Sequence, residues 1–505
     1  MKPSKILSLL ICLIGITAFG QVTKLSNLSS NKYLDSRIIF EENKEDVYGY
    51  FVLYEKDRTD KKEFLLEYYV LDKNLNKIAS GNFSHHKNTS MFYNTEVILR
   101  SVIRNNNKIL ISTGEFVGKA LGMTYNMKFG TLYRELDLND FSMSPSFLYL
   151  DFVKYELTEY SRKSTGNTKV LTQNLISANG NGFVMFQSDT RKDMALGIRT
   201  KPLEFRFYDT DKNQKWVHSF NTEKSKQFVD YGYLTADQNN LVLLKASTEN
   251  NFLRIEVFDS NNGKLKAQLP ENDNQKLIRI HNVQIQDNLL ICLGELNSDG
   301  KNVDPEGQKT LGLMKLVYDL ESGKTISQRY FNRDDPDNKI KLSSEGGVNS
   351  NGIFEYIDFK IKSDGGIVVL AEENLFDNSG EVNLCVIEFD SNMKVKYFEK
   401  VEKNKASEPN NKKYRDFEYQ YSQKLEKDSY VFCYVDTYAS KPKEKRDWFL
   451  GVITYVDGKY GFDKVSLKTS DGKIHPVLAK KGYVMLVEEK TDSKESEIRL
   501  EKINY

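Results

Sequence analysis

The chain has 505 residues, about three times the size of an average domain, which excludes a single simple hydrophobic core. Its 72 basic and 71 acidic residues leave a net charge of +1, so composition gives no support for nucleic-acid binding. Aromatic residues make up 12% of the chain and prolines number only 9, which favours β structure.

The first 20 residues have the pattern of a secretory signal peptide. A basic start precedes an apolar run from Ile6 to Ile16, and small residues, Ala18 and Gly20, then stand at the −3 and −1 positions. The apolar run is too short to span a membrane. We therefore predict cleavage before Gln21, a mature chain without a transmembrane anchor, and an exported location, either periplasmic or extracellular.

One short apolar pattern recurs eight times after this leader. Each copy opens with a polar or glycine-containing turn, continues through an apolar run, and ends on a small or acidic pair. Such runs are typical of strands that are buried on both faces, and we name this strand B. The copies begin at Tyr48, Asn107, Asn181, Asn239, Asp287, Gly365, Asp428 and Lys481.

Three further strands accompany each copy. Strand A precedes strand B, strand C follows it and ends in Asp, and a polar strand D comes after a turn. Aspartate favours this turn because its carboxylate can accept the backbone N–H two residues later. The aspartates that end the C strands are Asp72, Asp137, Asp209, Asp259, Asp319, Asp390 and Asp457.

These repeats predict an all-β fold, a β-propeller of four-stranded antiparallel blades. Strand B is apolar throughout because each blade lies between two neighbours, and strand D is polar because it forms the outer edge. Eight blades are the first choice. Seven are the second, because the second copy is irregular and carries an insertion near residues 138–175. Two propellers, or a sandwich with smaller repeats, are further alternatives.

The eighth copy ends after its strand C, so its blade lacks an outer strand. Residues 22–30 precede the first complete blade and could supply that strand. We therefore predict that the N-terminal strand closes the ring, and that residues 21–505 form one propeller domain. Closure would also cover the last exposed sheet edge.

The three cysteines of the mature chain, Cys292, Cys385 and Cys433, each lie within an apolar run. An odd number excludes a complete disulfide framework, so we predict buried free thiols. A bridge from Cys292 to Cys433 or Cys385 is the alternative. No histidine or second cysteine stands at ligand spacing, and we predict neither a metal nor a cofactor.

The ninth position of the strand B pattern is acidic in six of the eight copies. A ring relates these positions by rotation, so their carboxylates should share one face of the disc. There they could attract a cationic ligand, bind a metal, or provide an acid/base pair for glycoside chemistry. The alternative is that a strand leaving the core simply ends on a polar residue. The six candidates are Glu115, Asp189, Glu295, Glu373, Asp436 and Glu489.

The loops between strands B and C start from the same face and differ in length. Long irregular loops on a rigid scaffold often carry binding residues. Tyr125, Phe376 and Tyr438 in or beside these loops are candidate stacking groups for a sugar or a peptide.

The repeat pattern resembles that of exported bacterial β-propeller-like proteins of unknown function. It lacks the recurring G-H…W-D pair, the kelch double glycine and the sialidase aspartate box. We expect a non-enzymatic binding or scaffold protein of the cell envelope that uses the B–C loop face, with a protein or glycan ligand and no nucleic acid. The alternative is a carbohydrate-active hydrolase or lyase that uses two of the carboxylates on that face.

Overall fold

The computed structural model describes a set of ranges separated by gaps. They are residues 23–26, 28–41, 46–57, 63–86, 89–90, 93–94, 97–117, 120–121, 124–125, 128–148, 153–154, 175–187, 203–220, 229–247, 252–271, 276–297, 310–331, 352–375, 382–401, 418–438, 447–467, 472–490 and 496–503. Every regular element in these ranges is a β-strand. The described residues contain no helix that could span a membrane.

The strands form eight antiparallel blades of a β-propeller, each built on four strands; blade 2 has a fifth, and a single pair, Leu253 opposite Leu277, joins blades 4 and 5 into one sheet. The first described strand is β1 (Thr23–Ser26). Blade 1 consists of β2 (Lys32–Phe40), β3 (Val47–Asp57), β4 (Glu63–Asp72) and β5 (Lys77–His86), and is followed by a small hairpin of β6 (Thr89–Ser90) and β7 (Tyr93–Asn94).

Blades 2 to 4 follow the same order. Blade 2 consists of β8 (Ile98–Asn105), β9 (Lys108–Val117), β12 (Lys128–Asp137) and β13 (Phe147–Leu148), with a hairpin of β10 (Ala120–Leu121) and β11 (Thr124–Tyr125) in its B–C loop and β14 (Val153–Lys154) as a fifth strand. Blade 3 consists of β15 (Leu175–Ser177), β16 (Phe183–Gln187), β17 (Leu203–Tyr208) and β18 (Gln214–Phe220). Blade 4 consists of β19 (Val229–Ala236), β20 (Asn240–Ser247), β21 (Phe252–Asp259) and β22 (Leu265–Leu269).

Blades 5 to 8 complete the ring. Blade 5 consists of β23 (Lys276–Gln286), β24 (Leu289–Asn297), β25 (Thr310–Asp319) and β26 (Lys324–Tyr330). Blade 6 consists of β27 (Gly352–Ile361), β28 (Ile367–Leu375), β29 (Val382–Phe389) and β30 (Val395–Val401). Blade 7 consists of β31 (Glu418–Glu426), β32 (Ser429–Tyr438), β33 (Asp447–Val456) and β34 (Lys459–Leu467). Blade 8 consists of β35 (Gly472–Leu478), β36 (Tyr483–Lys490), β37 (Ser496–Lys502) and β1.

The N-terminal strand closes the ring, as the sequence predicts. Strand β1 pairs antiparallel with β37, with Thr23 opposite Leu500 and Ser26 opposite Glu497. Blade 8 therefore takes three strands from the end of the chain and its outer strand from the beginning. The prediction of eight blades with this closure is confirmed, and seven is wrong.

The hydrophobic core is divided among the interfaces between adjacent blades. Tyr50 and Phe51 are consecutive in β3 and both are fully buried. Tyr50 belongs to an apolar cluster that includes Met485 of blade 8, whereas Phe51 belongs to one that includes Ile109 of blade 2. Neighbouring residues of one strand point to opposite faces, so a strand between two blades must be apolar at every position. This explains the unbroken apolar runs of the B strands.

The aspartates at the ends of the C strands act as predicted in six blades. In blade 1, the Asp72 carboxylate accepts hydrogen bonds from the backbone N–H groups of Asn74 and Asn76, both at 2.8 Å. Burial opposes ionisation of Asp72, but these bonds and those from the Asn side chains lower the pKa of its carboxyl below the ordinary value. The residues that accept the same bond elsewhere are Asp137, Asp209, Asp259, Asp319 and Asp390.

Blade 7 departs from this turn. Asp457 and Gly458 form a two-residue connection between β33 and β34, with φ angles of 50° and 75°. Positive φ at both central positions is typical of a type I′ hairpin turn. The seventh aspartate therefore supplies backbone conformation, whereas the others supply a hydrogen-bond acceptor.

Part of the predicted insertion belongs to blade 2. Phe147 of β13 lies opposite Tyr133 of β12, so β13 is the outer strand of this blade. Strand β14 pairs with β13 and extends the sheet by one strand. Residues 149–152 and 155–174 of the insertion lie outside the described ranges.

Cys292, Cys385 and Cys433 are buried thiols and form no disulfide, as predicted. Burial raises the pKa of Cys292 and of Cys433 to about 12. Both thiols are therefore protonated at neutral pH and pack as small apolar groups.

Gly451 of β33 allows a buried aromatic ring to lie across the backbone of blade 7. A β-carbon added there would overlap the ring of Tyr434, which is only 4% exposed. We expect Gly451→Ala to lower the free energy of unfolding by about 1–3 kcal/mol because this ring has little room to move. Denaturant unfolding monitored by circular dichroism measures the change.

Gly232→Ala in β19 is the matched control. A β-carbon at Gly232 would meet only the β-carbon of Leu244, at an ordinary contact distance of 3.9 Å. We expect this substitution to leave stability unchanged or slightly improved. Equal effects at the two glycines would contradict the packing described for blade 7.

Candidate functional site

The strand order assigns two different sets of connections to the two faces of the disc. Successive strands run antiparallel, so the B–C loops and the links from one blade to the next lie on one face, which we name the upper face. The A–B and C–D turns, including the aspartate turns, lie on the opposite lower face. The upper face is where A strands begin and B strands end.

The predicted acidic positions fall at the upper ends of their strands. Glu115, Glu295, Glu373, Asp436 and Glu489 lie within the last three residues of β9, β24, β28, β32 and β36 respectively. Asp189 lies outside the described residues. The structure describes the side chains of Glu295 and Asp436, and both contact groups of their own blades.

Glu295 holds a histidine at the interface between blades 5 and 6. Its Oε1 lies 2.6 Å from His281 Nε2 and 3.8 Å from Arg279 Nη1. His281 occupies a bulge in β23, and its ring packs edge-on against Tyr356 of blade 6 at a centroid distance of 5.1 Å. The carboxylate therefore orients an aromatic side chain that joins two blades.

Asp436 is fully buried and forms an ion pair inside blade 7. Its Oδ2 accepts a hydrogen bond from Lys464 Nζ of β34, two strands away. The lysine ammonium also lies 5.8 Å from the centroid of the Phe449 ring. Since this carboxylate is inaccessible to solvent, its contacts favour a role in holding the blade together over direct ligand contact.

Replacing the buried carboxylate tests this role. We expect Asp436→Asn to lower the free energy of unfolding by about 1–3 kcal/mol, because the Lys464 ammonium is left inside the blade without a negatively charged partner. The measurement is chemical denaturation of the variant and of Asp463→Asn, a control at an exposed position of β34. Unchanged stability in Asp436→Asn would show that the pair contributes nothing to the blade.

A pocket that the sequence patterns do not predict lies where blades 1, 2 and 3 meet. It has a volume of about 520 Å³ and is formed by side chains of blades 1, 2 and 3. Its lining includes the first residues of the A strands of blades 2 and 3, Ile98 and Leu175, and mid-strand residues of blades 1 and 2. The lining residues are Arg37, Ile98, Leu99, Arg100, Ser101, Ser112, Tyr133 and Leu175.

Arg37 crosses from blade 1 to blade 2. Its Nε and Nη2 donate to the Leu99 carbonyl at 3.3 and 3.0 Å, and Nη2 lies 2.9 Å from Asp35 Oδ2. Three contacts thus fix the plane of the guanidinium at the pocket wall. About 45% of the side chain remains exposed.

Arg100 occupies a β-bulge in β8. The pairing register with β9 shifts between Leu99 and Ser101, and Arg100 is the extra residue of this bulge. A bulge changes the direction in which its side chain leaves the sheet, and here the side chain lines the pocket. Burial lowers the pKa of Arg100, with a smaller opposing effect from Tyr133, yet an arginine in a protein stays protonated.

Hydroxyl groups form the inner wall of the pocket. The Tyr133 side chain is almost fully buried, and its Oη accepts a hydrogen bond from the Leu175 backbone N–H at 2.9 Å. Burial raises the pKa of Tyr133 to about 12, so the phenol is neutral at physiological pH. The Oγ atoms of Ser101 and Ser112 lie 2.5 Å apart. The pocket therefore presents cations and neutral hydroxyls.

The sequence prediction missed this pocket because its polar residues come from non-equivalent positions of three repeats. The acids of strand B recur at equivalent positions of the repeats, whereas Arg37 and Arg100 do not belong to a recurring pattern. The available signal is Arg100 inside the otherwise uncharged run from Ile98 to Ile103.

A family model matches the two ends of the chain. It is described as "Family of unknown function (DUF6770)" and covers residues 1–129 and 385–504. The resemblance to a β-propeller-like family of unknown function is thereby confirmed. No curated protein matches the sequence.

Solved structures with a similar overall arrangement include enzymes and an enzyme domain. A polysaccharide lyase of family PL25, an ulvan lyase, has 10% identity and a TM-score of 0.39, over 80% of this chain and 91% of that one. The β-propeller domain of the Trilobed protease from Pyrococcus furiosus has 10% identity and a TM-score of 0.35, over 86% and 96%. A post-proline cleaving enzyme from Rickettsia typhi has 10% identity and a TM-score of 0.39, over 88% and 56%. Similarity of this degree assigns no activity to the present chain.

Proposed function

We propose that the chain is an exported, non-enzymatic binding protein of the cell envelope, and that its ligand enters the pocket where blades 1, 2 and 3 meet. The observation that carries the proposal is the pocket itself, about 520 Å³ in volume. Small-molecule sites typically measure roughly 300–1,000 Å³. The signal-peptide pattern of residues 1–20 supports export.

The construction of the pocket supports binding because its parts are held rigidly. Arg37 of blade 1 is anchored on the Leu99 carbonyl of blade 2, and Tyr133 of blade 2 receives the Leu175 N–H of blade 3. These bonds fix the relative positions of three blades around one concavity. A pre-formed site loses little conformational entropy when a ligand binds.

The protonation states also favour binding over acid/base catalysis. A phenol with a pKa of about 12 is a poor general base near neutral pH, and Tyr133 is such a group. The two rim carboxylates with described side chains, Glu295 and Asp436, belong to different blades and each contacts a basic side chain of its own blade. These contacts stabilise the scaffold on which the pocket is built.

Filling the mouth of the pocket tests the proposal. Ile98 lines the pocket and is 44% exposed, so Ile98→Trp should obstruct entry without disturbing the core. The chain without residues 1–20 is first screened against glycan and peptide arrays. We expect Ile98→Trp to weaken the ligand found there by at least tenfold, measured by isothermal titration calorimetry.

Ile326→Trp is the matched control. Ile326 is 59% exposed and lies on β26, the outer strand of blade 5, which contributes no residue to the pocket lining. This substitution should leave binding unchanged. Equal binding by the Ile98→Trp variant would contradict the site, and cleavage of a bound glycan into products would contradict the non-enzymatic role.

A further inference from the structure

The pocket of blades 1 to 3 carries positive charge. Two guanidinium groups, those of Arg37 and Arg100, line it, and its described lining residues include no acid. Asp35 is not among the lining residues, but its carboxylate lies 2.9 Å from Arg37 and offsets part of this charge. A concave surface of one charge sign attracts ligands of the opposite sign.

Arg37 is oriented so that it can donate further hydrogen bonds. Its contacts with Leu99 and Asp35 use Nε and Nη2. A guanidinium has five N–H donors in a planar fork, and the two on Nη1 are additional to those contacts. This geometry suits an oxyanion, which accepts parallel N–H bonds from arginine.

Arg100 adds a second cation to the pocket lining. It is the extra residue of the bulge between Leu99 and Ser101, and it lines the pocket together with Arg37. A guanidinium stays protonated in a protein and donates hydrogen bonds in a planar fork, a geometry that suits an oxyanion.

The remaining lining residues suit the body of a small organic ligand. Ser101 and Tyr133 contribute neutral hydroxyls, while Ile98, Leu99 and Leu175 form an apolar wall. A site with two cations, a few hydroxyls and an apolar side selects a compact molecule that combines an anionic group with a carbon skeleton.

We propose that Arg37 and Arg100 bind the carboxylate or sulfate of such a small ligand. The inference rests on the proposed function, because it specifies the chemical class of ligand for the same pocket. The arginines neutralise the anion, and the apolar wall contacts the rest of the molecule.

The test measures the unfolding temperature of the full chain without residues 1–20 as anions are added at constant ionic strength, with chloride as the balancing ion. The probes are D-glucuronate, inorganic sulfate and uncharged D-glucose. A ligand that binds only the folded state raises the unfolding temperature in a saturable manner. We expect glucuronate and sulfate to do so and glucose not to.

The variants locate the effect. We expect Arg37→Gln and Arg100→Gln each to raise the half-saturating concentration at least tenfold, whereas Arg329→Gln, at an exposed arginine of β26, should leave it unchanged. Circular dichroism in the absence of anion checks that each variant folds. Should a Gln variant fail to fold, Arg37→Lys and Arg100→Lys retain the charge but lose the planar fork, and should weaken binding by a smaller factor.

Each outcome either supports or contradicts the binding of an anionic ligand by Arg37 and Arg100. Tighter binding of glucuronate than of sulfate supports an organic anion, and tighter binding of sulfate supports a sulfated or free anionic ligand. Saturable stabilisation that is equal in the Arg37→Gln/Arg100→Gln double variant would overturn the site. A neutral ligand whose binding is blocked by Ile98→Trp, together with no response to either anion, would overturn the inference and leave the proposed function intact.

Discussion

The structure depends on the backbone pairing between the two ends of the chain. A four-stranded antiparallel sheet has two faces, and a blade can bury both only if a neighbour lies on each side. The pairing of β1 with β37 provides the outer strand of blade 8 and ties it to the start of blade 1. The interface whose apolar cluster includes Tyr50 and Met485 is therefore as apolar as those inside the ring.

Ring closure also brings side chains of different blades together. In a closed ring the A strands converge on a common axis, so side chains of different blades meet there. The hydrogen bond from Arg37 to the Leu99 carbonyl and the bond from Leu175 N–H to Tyr133 Oη both join adjacent blades at the pocket. A site composed of three blades has a fixed geometry only while the ring remains closed.

The local pattern of the sequence was sufficient to predict the fold. Buried strands show as unbroken apolar runs, and the aspartates of six C–D turns accept the backbone N–H two residues later, as Asp72 does from Asn74. Both features depend on neighbours along the chain. The type I′ turn at Asp457 differs because the following glycine allows a shorter connection.

The site could be predicted only in part, because its contacts join distant strands. The strand-end position of Glu295 and Asp436 follows from the repeat, but their partners His281 and Lys464 lie on other strands of the blade. The bulge that directs Arg100 into the pocket depends on the register between β8 and β9, which no local pattern specifies.

Amide hydrogen exchange at β37 is the most direct measurement of ring closure. Alternate amides of this strand point toward β1, and pairing should protect them in the intact chain. Leu25→Pro removes a backbone donor from β1, where Leu25 lies opposite Ile498. Those amides should then exchange rapidly, together with amides at the interface of blades 8 and 1. Unchanged protection across β37 in the proline variant would show that the ring is not closed by this strand.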